Sequence, residues 1–216
     1  MTSLIEYSQE WQDQYRLDAR LSRAEIPARY RDRTLDSFQV TAPAQRALVE
    51  RLRDYTTTFG EIDGFTAPNG ILIFGPRGTG KTHLMTAVLQ ELIRAGRKGR
   101  YLSPADWLTE IKSTFGKSGF DEDTERDLID EVVRVDVLLL DDLGIGKVGK
   151  EWEMEKIYQL VNGRSGNGTI TLITCNQAFP NELAEHVGER VTSRLFEICR
   201  IYNTVGWQDY RVRFQR

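Results

Sequence analysis

Between residues 75 and 82 the chain reads Gly75-Pro76-Arg77-Gly78-Thr79-Gly80-Lys81-Thr82, three glycines, one lysine and two threonine hydroxyls at a spacing suited to a dense polyanion. Glycines let backbone N–H groups approach phosphate oxygens, the lysine bridges β- and γ-phosphates, and a threonine at a helix N-terminus offers its hydroxyl to Mg²⁺. The run follows the apolar Ile71 to Phe74 and precedes a helical pattern over His83 to Ala95. Gly75 to His83 is therefore predicted to hold ATP, with Thr82 on the metal.

Two further places extend this chemistry. Val137-Leu138-Leu139-Leu140-Asp141-Asp142 is a fully apolar strand pattern ending in two acids. Beside a phosphate loop, Asp141 is expected to hold Mg²⁺ through water and Asp142 to orient or deprotonate the attacking water. Thr169 to Cys175 is a β-branched strand pattern followed by Asn176, whose amide is placed to position that water against the γ-phosphate. Strand-end acids and amides are ordinary turn residues elsewhere; the phosphate loop is what turns the reading.

The elements that must carry these groups alternate along the chain. After a strand at Ile71 to Phe74 and a helix at His83 to Ala95 come a strand at Gly99 to Leu102 and a helix opened by Ser103-Pro104. Ala105 to Arg134 is mostly helical, with a break around Gly116 to Gly119 and Leu128, Ile129, Val132 and Val133 at helical spacing. Beyond the acidic strand, Trp152 to Val161 is helical, Thr169 to Thr174 is a strand, Asn181 to Phe196 is one or two helices, and Arg200 to Val205 is the last strand. Such alternation predicts a parallel sheet. Upstream, residues 3 to 24 form a charged helix with an aromatic stripe of Tyr7, Trp11 and Tyr15, stopped by Pro27. A second helix opens at Pro43 and places Ala44, Ala47, Leu48, Leu52, Tyr55 and Phe59 on one face, and Gly60 to Gly70 reads as a loop.

Composition narrows the class. The 216 residues suit one core with a short appendage, and 40% hydrophobic with 28% charged residues is ordinary globular usage. With 29 basic and 32 acidic residues the net charge is -3, so any nucleic-acid contact must come from a local patch. No run approaches the roughly 20 apolar residues of a membrane span, and the first residues lack a secretory pattern, so a cytoplasmic protein is expected. Cys175 and Cys199 lack metal-ligand spacing with His83 or His186 and read as buried free thiols.

The three chemical elements together make the chain resemble the AAA+ ATPases. The segment Gly188-Glu189-Arg190-Val191-Thr192-Ser193-Arg194-Leu195 narrows the resemblance to the DnaC-type helicase loaders and their IstB-like relatives, whose Gly-x-Arg-hydrophobic-x-x-Arg-hydrophobic box it matches. The final strand followed by Gly206-Trp207-Gln208-Asp209-Tyr210-Arg211 is similar to their ending, and Ile26-Pro27-Ala28-Arg29-Tyr30 to Phe38 is similar to their approach to the core. The resemblance spans roughly residues 26 to 213.

It implies an α/β three-layer sandwich around a central parallel sheet, with residues 1–25 as a helical extension, residues 26–216 as the ATPase domain and no separate C-terminal lid. It also implies Arg194 as an arginine finger acting on a neighbouring subunit's γ-phosphate, Arg190 as second candidate, and Arg211 as the sensor-2 arginine. A finger supplied in trans can be worth about 10³–10⁵ in rate, so a homo-oligomer formed on ATP or DNA is expected and an isolated monomer should hydrolyse weakly. Many AAA+ proteins carry Asp-Glu where this chain has Asp141-Asp142, which implies slow hydrolysis. The helical insertion from Ala105 to Arg134 implies a surface for single-stranded DNA, for which Lys112, Lys117, Arg77, Arg97, Lys98 and Arg100 are available.

By this resemblance the chain reads as an ATP-dependent loader that binds a replicative helicase through residues 1–25 and single-stranded DNA through its ATPase assembly. An IstB-like ATPase that binds duplex DNA and regulates a transposase fits the core motifs equally. The short aromatic N-terminal segment, rather than a long DNA-binding extension, favours the first. A nucleotide-binding interaction module with little hydrolysis is the third reading.

Overall fold

The computed structural model describes residues 8–58, 68–114, 122–144 and 151–215. Tyr7, Phe59, most of the predicted Gly60 to Gly70 loop, Lys117 and the break at Gly116 to Gly119 lie outside them. The elements run α1 (Gln9–Arg23), α2 (Pro43–Thr58), β1 (Gly70–Phe74), α3 (Lys81–Arg94), β2 (Gly99–Leu102), α4 (Pro104–Thr114), α5 (Glu122–Arg134), β3 (Val137–Leu143), α6 (Glu151–Gly166), β4 (Ile170–Cys175), α7 (Asn181–Val187), α8 (Glu189–Ile198) and β5 (Cys199–Asn203). Short 3₁₀ turns cover Ala28–Tyr30 and Tyr210–Gln215.

The strands form one parallel sheet in the order β2-β3-β4-β1-β5. Their apolar runs are continuous because both faces are covered. Side-chain alternation divides each strand between two cores. Ile71, Ile73, Val137, Leu139, Ile170 and Leu172 pack with α2 and α3 and with Leu17, Leu21 and Ala24 near the end of α1. Leu72, Leu138, Leu140 and Ile173 face the other way, against residues of α4 to α8 such as Trp107, Val132, Leu160, Leu183 and Leu195. The molecule is the expected three-layer α/β sandwich.

Differences from the sequence reading have local causes. Helix α3 begins at Lys81 rather than His83, because Gly80 at φ 92° is its N-cap and the loop passes straight into the first turn. On α2, Gln45 and Val49 are buried while Ala44 and Ala47 are exposed, so the buried face is rotated from the one predicted. The Gln45 side chain accepts from the Thr41 N–H and hydroxyl ahead of the helix, a polar anchor that apolar periodicity does not register. Gly188, at φ 91°, divides the predicted Asn181 to Phe196 segment into α7 and α8. The last strand sits one to two residues earlier than predicted, and β3 runs on through both acids to Leu143.

That extension is a bulge. Leu140 pairs with Ile173 and Leu143 with Cys175, so three steps along β3 match two along β4, and the extra residue falls at the acids. Asp142 takes up the distortion at φ 61°. In a regular strand neighbours point to opposite faces; here the bulge lets both carboxylates serve the same end of the sheet.

The side chain of Arg164 on α6 is wholly buried. Its guanidinium donates to the carbonyls of Val132, Val133, Val135 and Ile170 and to the Thr171 hydroxyl, closing the end of α5 onto β4. Burial pulls it down to about 9, still protonated at neutral pH.

Candidate nucleotide site

The site is built where β1, β3 and β4 end at the same edge of the sheet, which is where ligands collect in open parallel sheets. Phe74 leads into Gly75, β3 delivers Asp141 and Asp142, and Cys175 leads into Asn176. Gly75, Gly78 and Gly80 have φ values of 136°, 76° and 92°, the left-handed region that glycine enters without strain. The loop curls around the Lys81 ammonium, which donates to the carbonyls of Gly75 and Pro76 at 2.7 Å each and to Asn176 Oδ1 at 2.9 Å. The Asn176 amide nitrogen in turn donates to Asp142 Oδ1 at 3.0 Å. One asparagine thus connects the loop lysine to the second acid. Burial lowers the Lys81 pKa, opposed by Asp142, Cys175 and Asp141. Burial raises that of Asp142, and the Asp141 charge adds to the rise.

Asp141 is only 4% exposed and receives three hydroxyls. Thr82 and Thr174 donate to Oδ1 at 2.8 and 2.7 Å, and Tyr101 donates to Oδ2 at 2.7 Å. The Thr174 oxygen also accepts the Asp142 N–H at 2.8 Å, so one residue of β4 holds both acids in place. Thr82, donating its proton to Asp141, keeps its oxygen lone pairs for a cation. A hydroxyl beside a fixed carboxylate at a helix N-terminus is a donor set that fits a magnesium ion carrying its own waters.

A cavity of about 640 Å³ opens over the loop, lined by Gly78 to His83, Asp142 and Asn176. Its far wall was only partly foreseen. The segment from Arg29 to Thr41 crosses it with Tyr30, Phe38 and Gln39, and Gln208, Tyr210 and Arg211 close another side. Phe38 lies against the loop so closely that a Cβ on Gly80 would meet its ring at 2.5 Å. His83, counted with the loop in the sequence, turns its ring to this wall and bonds the Thr34 carbonyl at 2.9 Å and the Ser37 hydroxyl at 3.2 Å. Its pKa is lowered by burial. Thr79 is tied across to Thr204 after β5 by a 2.8 Å hydroxyl pair. Residues 26 to 38 carried a signal through their resemblance to the family's approach segment. Thr174, Tyr101 and Thr204 carried none, being hydroxyls in otherwise ordinary strand patterns.

The arginines divide. Arg77 and Arg211 line the cavity. Arg190 and Arg194 do not line it. Both sit on α8, where Arg190 stacks on the Tyr158 ring at 3.9 Å and Arg194 pairs with Glu197 at 2.5 Å. Of the basic residues read as available for DNA, Arg100 is held between Glu25 and Glu131 at 2.9 Å each. Cys175 and Cys199 are buried and free, and burial pushes the Cys175 thiol up to about 12. Among the described residues no helix is long and apolar enough to cross a membrane.

The family model described as IstB-like ATP binding protein matches residues 1–212. The replicative helicase loader DnaC of Escherichia coli (strain K12) is 28% identical over 193 residues, covering 89% of this chain and 74% of the relative. The DnaC loader of Buchnera aphidicola subsp. Acyrthosiphon pisum is 29% identical over 192 residues, 88% of this chain and 74% of that one. A crystal structure of the DnaC helicase loader superposes with a TM-score of 0.69 at 25% identity, covering 82% of this chain and 99% of the other. The replication initiator DnaA, solved with AMPPCP and single-stranded DNA, gives 0.66 at 24% identity over 83% of this chain and half of its own, a likeness of fold. With its phosphate loop, bulged acidic strand and Gly-x-Arg box in place, the chain belongs to the IstB-like ATP-binding family of AAA+ proteins, and the DnaC-type loaders are its relatives.

Proposed function

We propose that this protein is an ATP-dependent loader of a replicative helicase, acting in the cytoplasm, with ATP hydrolysed at sites shared between subunits. The observation that carries the reading is the connected set Lys81–Asn176–Asp142 beside Thr82–Asp141. It joins a phosphate-binding cation, a water-orienting acid and a metal-side carboxylate through hydrogen bonds. Support for the loader role is the DnaC match along 89% of the chain.

Thr82 and Asp141 would hold Mg²⁺, which would neutralise charge on the β- and γ-phosphates. The loop N–H groups and Lys81 bind the phosphate chain, with the Lys81 ammonium exchanging loop carbonyls for phosphate oxygens. Asp142 accepts a proton from, or orients, the attacking water, and Asn176 fixes the acid's direction. Phe38 and the segment around it form the apolar side against which a base can rest. Arg194, which does not line its own chain's cavity, is assigned to the γ-phosphate of a neighbouring subunit, with Arg190 beside it and Arg211 acting from the same chain. Residues 1–25 are assigned to helicase recruitment and residues 26–216 to the ATPase core, which also takes single-stranded DNA.

The test is complementation. Lys81→Ala and Arg194→Ala proteins should each hydrolyse ATP weakly with single-stranded DNA present, and their mixture should regain activity through hybrid interfaces. No regain at saturating protein would remove the trans role of Arg194, and an unimpaired Lys81→Ala or Asp141→Ala enzyme would remove the site itself. The family model's IstB description supports a second reading, an ATPase that binds duplex DNA and regulates a transposase. Preference for duplex over single-stranded DNA in an ATP-dependent binding assay would favour it.

A further inference from the structure

Arg211 reaches the phosphate cavity from an exposed turn, and its charge opposes that of Lys81. A long, rotamer-rich cation beside another cation gains by swinging into solvent unless its backbone is held. The hold is visible in the residues before it. The Asp209 carboxylate lies in the notch left by the missing side chain of Gly78, where a Cβ would come within 1.8 Å of Oδ1 and 2.1 Å of Cγ. The same Oδ1 accepts the Arg211 N–H at 2.8 Å. Between them, the Tyr210 N–H donates to the Gly78 carbonyl at 2.9 Å. Behind this contact, the Trp207 N–H donates to the Thr204 carbonyl at 3.1 Å and Thr204 holds Thr79.

We propose that Asp209 is a positioning residue for Arg211: seated against Gly78, its carboxylate clasps the arginine-bearing turn to the phosphate loop and fixes where the guanidinium enters the site. Gly78 thereby has two tasks, its left-handed φ of 76° and the empty space that admits Asp209. The side-chain length is matched to both contacts, since one carboxylate oxygen must reach the glycine and the N–H two residues on. The inference rests on the reading of the cavity as a nucleoside triphosphate site and deepens it, because the clasp makes the loop and the sensing arginine move as one body.

The experiment measures the preference for ATP over ADP by competition against a fluorescent ADP analogue, in wild type, Arg211→Ala, Asp209→Ala, Asp209→Asn and the Asp209→Ala/Arg211→Ala double variant. Arg211→Ala and Asp209→Ala should each reduce the preference by a similar factor, roughly 10-fold for one charge-assisted contact. The double variant should be no worse than either single, the mark of residues acting as a unit. Asp209→Asn keeps the accepting oxygen and the shape, and should hold at least the wild-type preference. Melting temperatures should stay together, since the turn is peripheral to both cores. A wild-type preference in Asp209→Ala, or losses that add in the double variant, would overturn the clasp while leaving the nucleotide site standing. Wild-type protein that binds neither nucleotide would overturn the functional reading itself.

Discussion

Asp141 and Arg164 show how much can depend on single buried polar groups. Asp141 is one carboxylate with three hydroxyl donors, and Arg164 is one guanidinium serving four carbonyls and a hydroxyl. The first was legible as a strand-end acid, because apolar strand and acid are adjacent in sequence. The second was not legible at all, since an arginine near the end of a helix looks like a solvated charge until the fold brings the end of α5 over it. Replacing Arg164 with methionine preserves bulk but leaves the carbonyls of Val132, Val135 and Ile170 without their donor. A loss of about 3 kcal/mol or more is expected, read as a lower urea midpoint at unchanged slope.

At the scale of elements, strands and helices were largely readable from apolar runs and caps, and so were the site residues that stand at strand ends, Asp141, Asp142 and Asn176, whereas the contacts that tie separate segments together were not. The phosphate loop is local. The far wall from Tyr30 to Thr41 and the Thr79–Thr204 link join residues far apart in the chain, and no spacing rule reports them. Strand β4 is the instructive case. Its β-branched run declared a buried strand, but not that the Thr174 hydroxyl would donate to Asp141 while accepting from the Asp142 backbone. Thr174→Val keeps the shape and removes both bonds. Magnesium-dependent nucleotide binding should then need about 10- to 100-fold more metal, while binding in a chelator changes little. Titration of nucleotide affinity against Mg²⁺ separates the two.

At the scale of the whole molecule, the N-terminal helix is divided in use. Leu17, Leu21 and Ala24 pack on the core, and the Tyr101 N–H of β2 donates to the Ala24 carbonyl at 2.7 Å. Trp11 and Tyr15 remain 46% and 63% exposed and stack on each other at 5.3 Å. Deleting residues 1–25 would therefore disturb the ATPase core as well as any partner site. Trp11→Ser/Tyr15→Ser is the sharper variant. It should change stability by no more than about 0.5 kcal/mol and abolish capture of the host replicative helicase in a pull-down. Undiminished capture would take the stripe out of the recruitment role.

The bulge that carries the acids has a cost borne by the folded state at rest. Asp142 sits at a backbone angle uncommon for a side-chain-bearing residue, partly desolvated and next to a like charge. Natural selection for stability alone would not keep it so. Asp142→Asn relieves the charge, tolerates the same angle and still accepts from Asn176. The variant should melt higher, by about 0.5–2 kcal/mol in unfolding free energy, while its ATP turnover collapses. A form trapped before hydrolysis should thus be sturdier than the working protein, and the difference in melting curves would measure what activity withholds from stability.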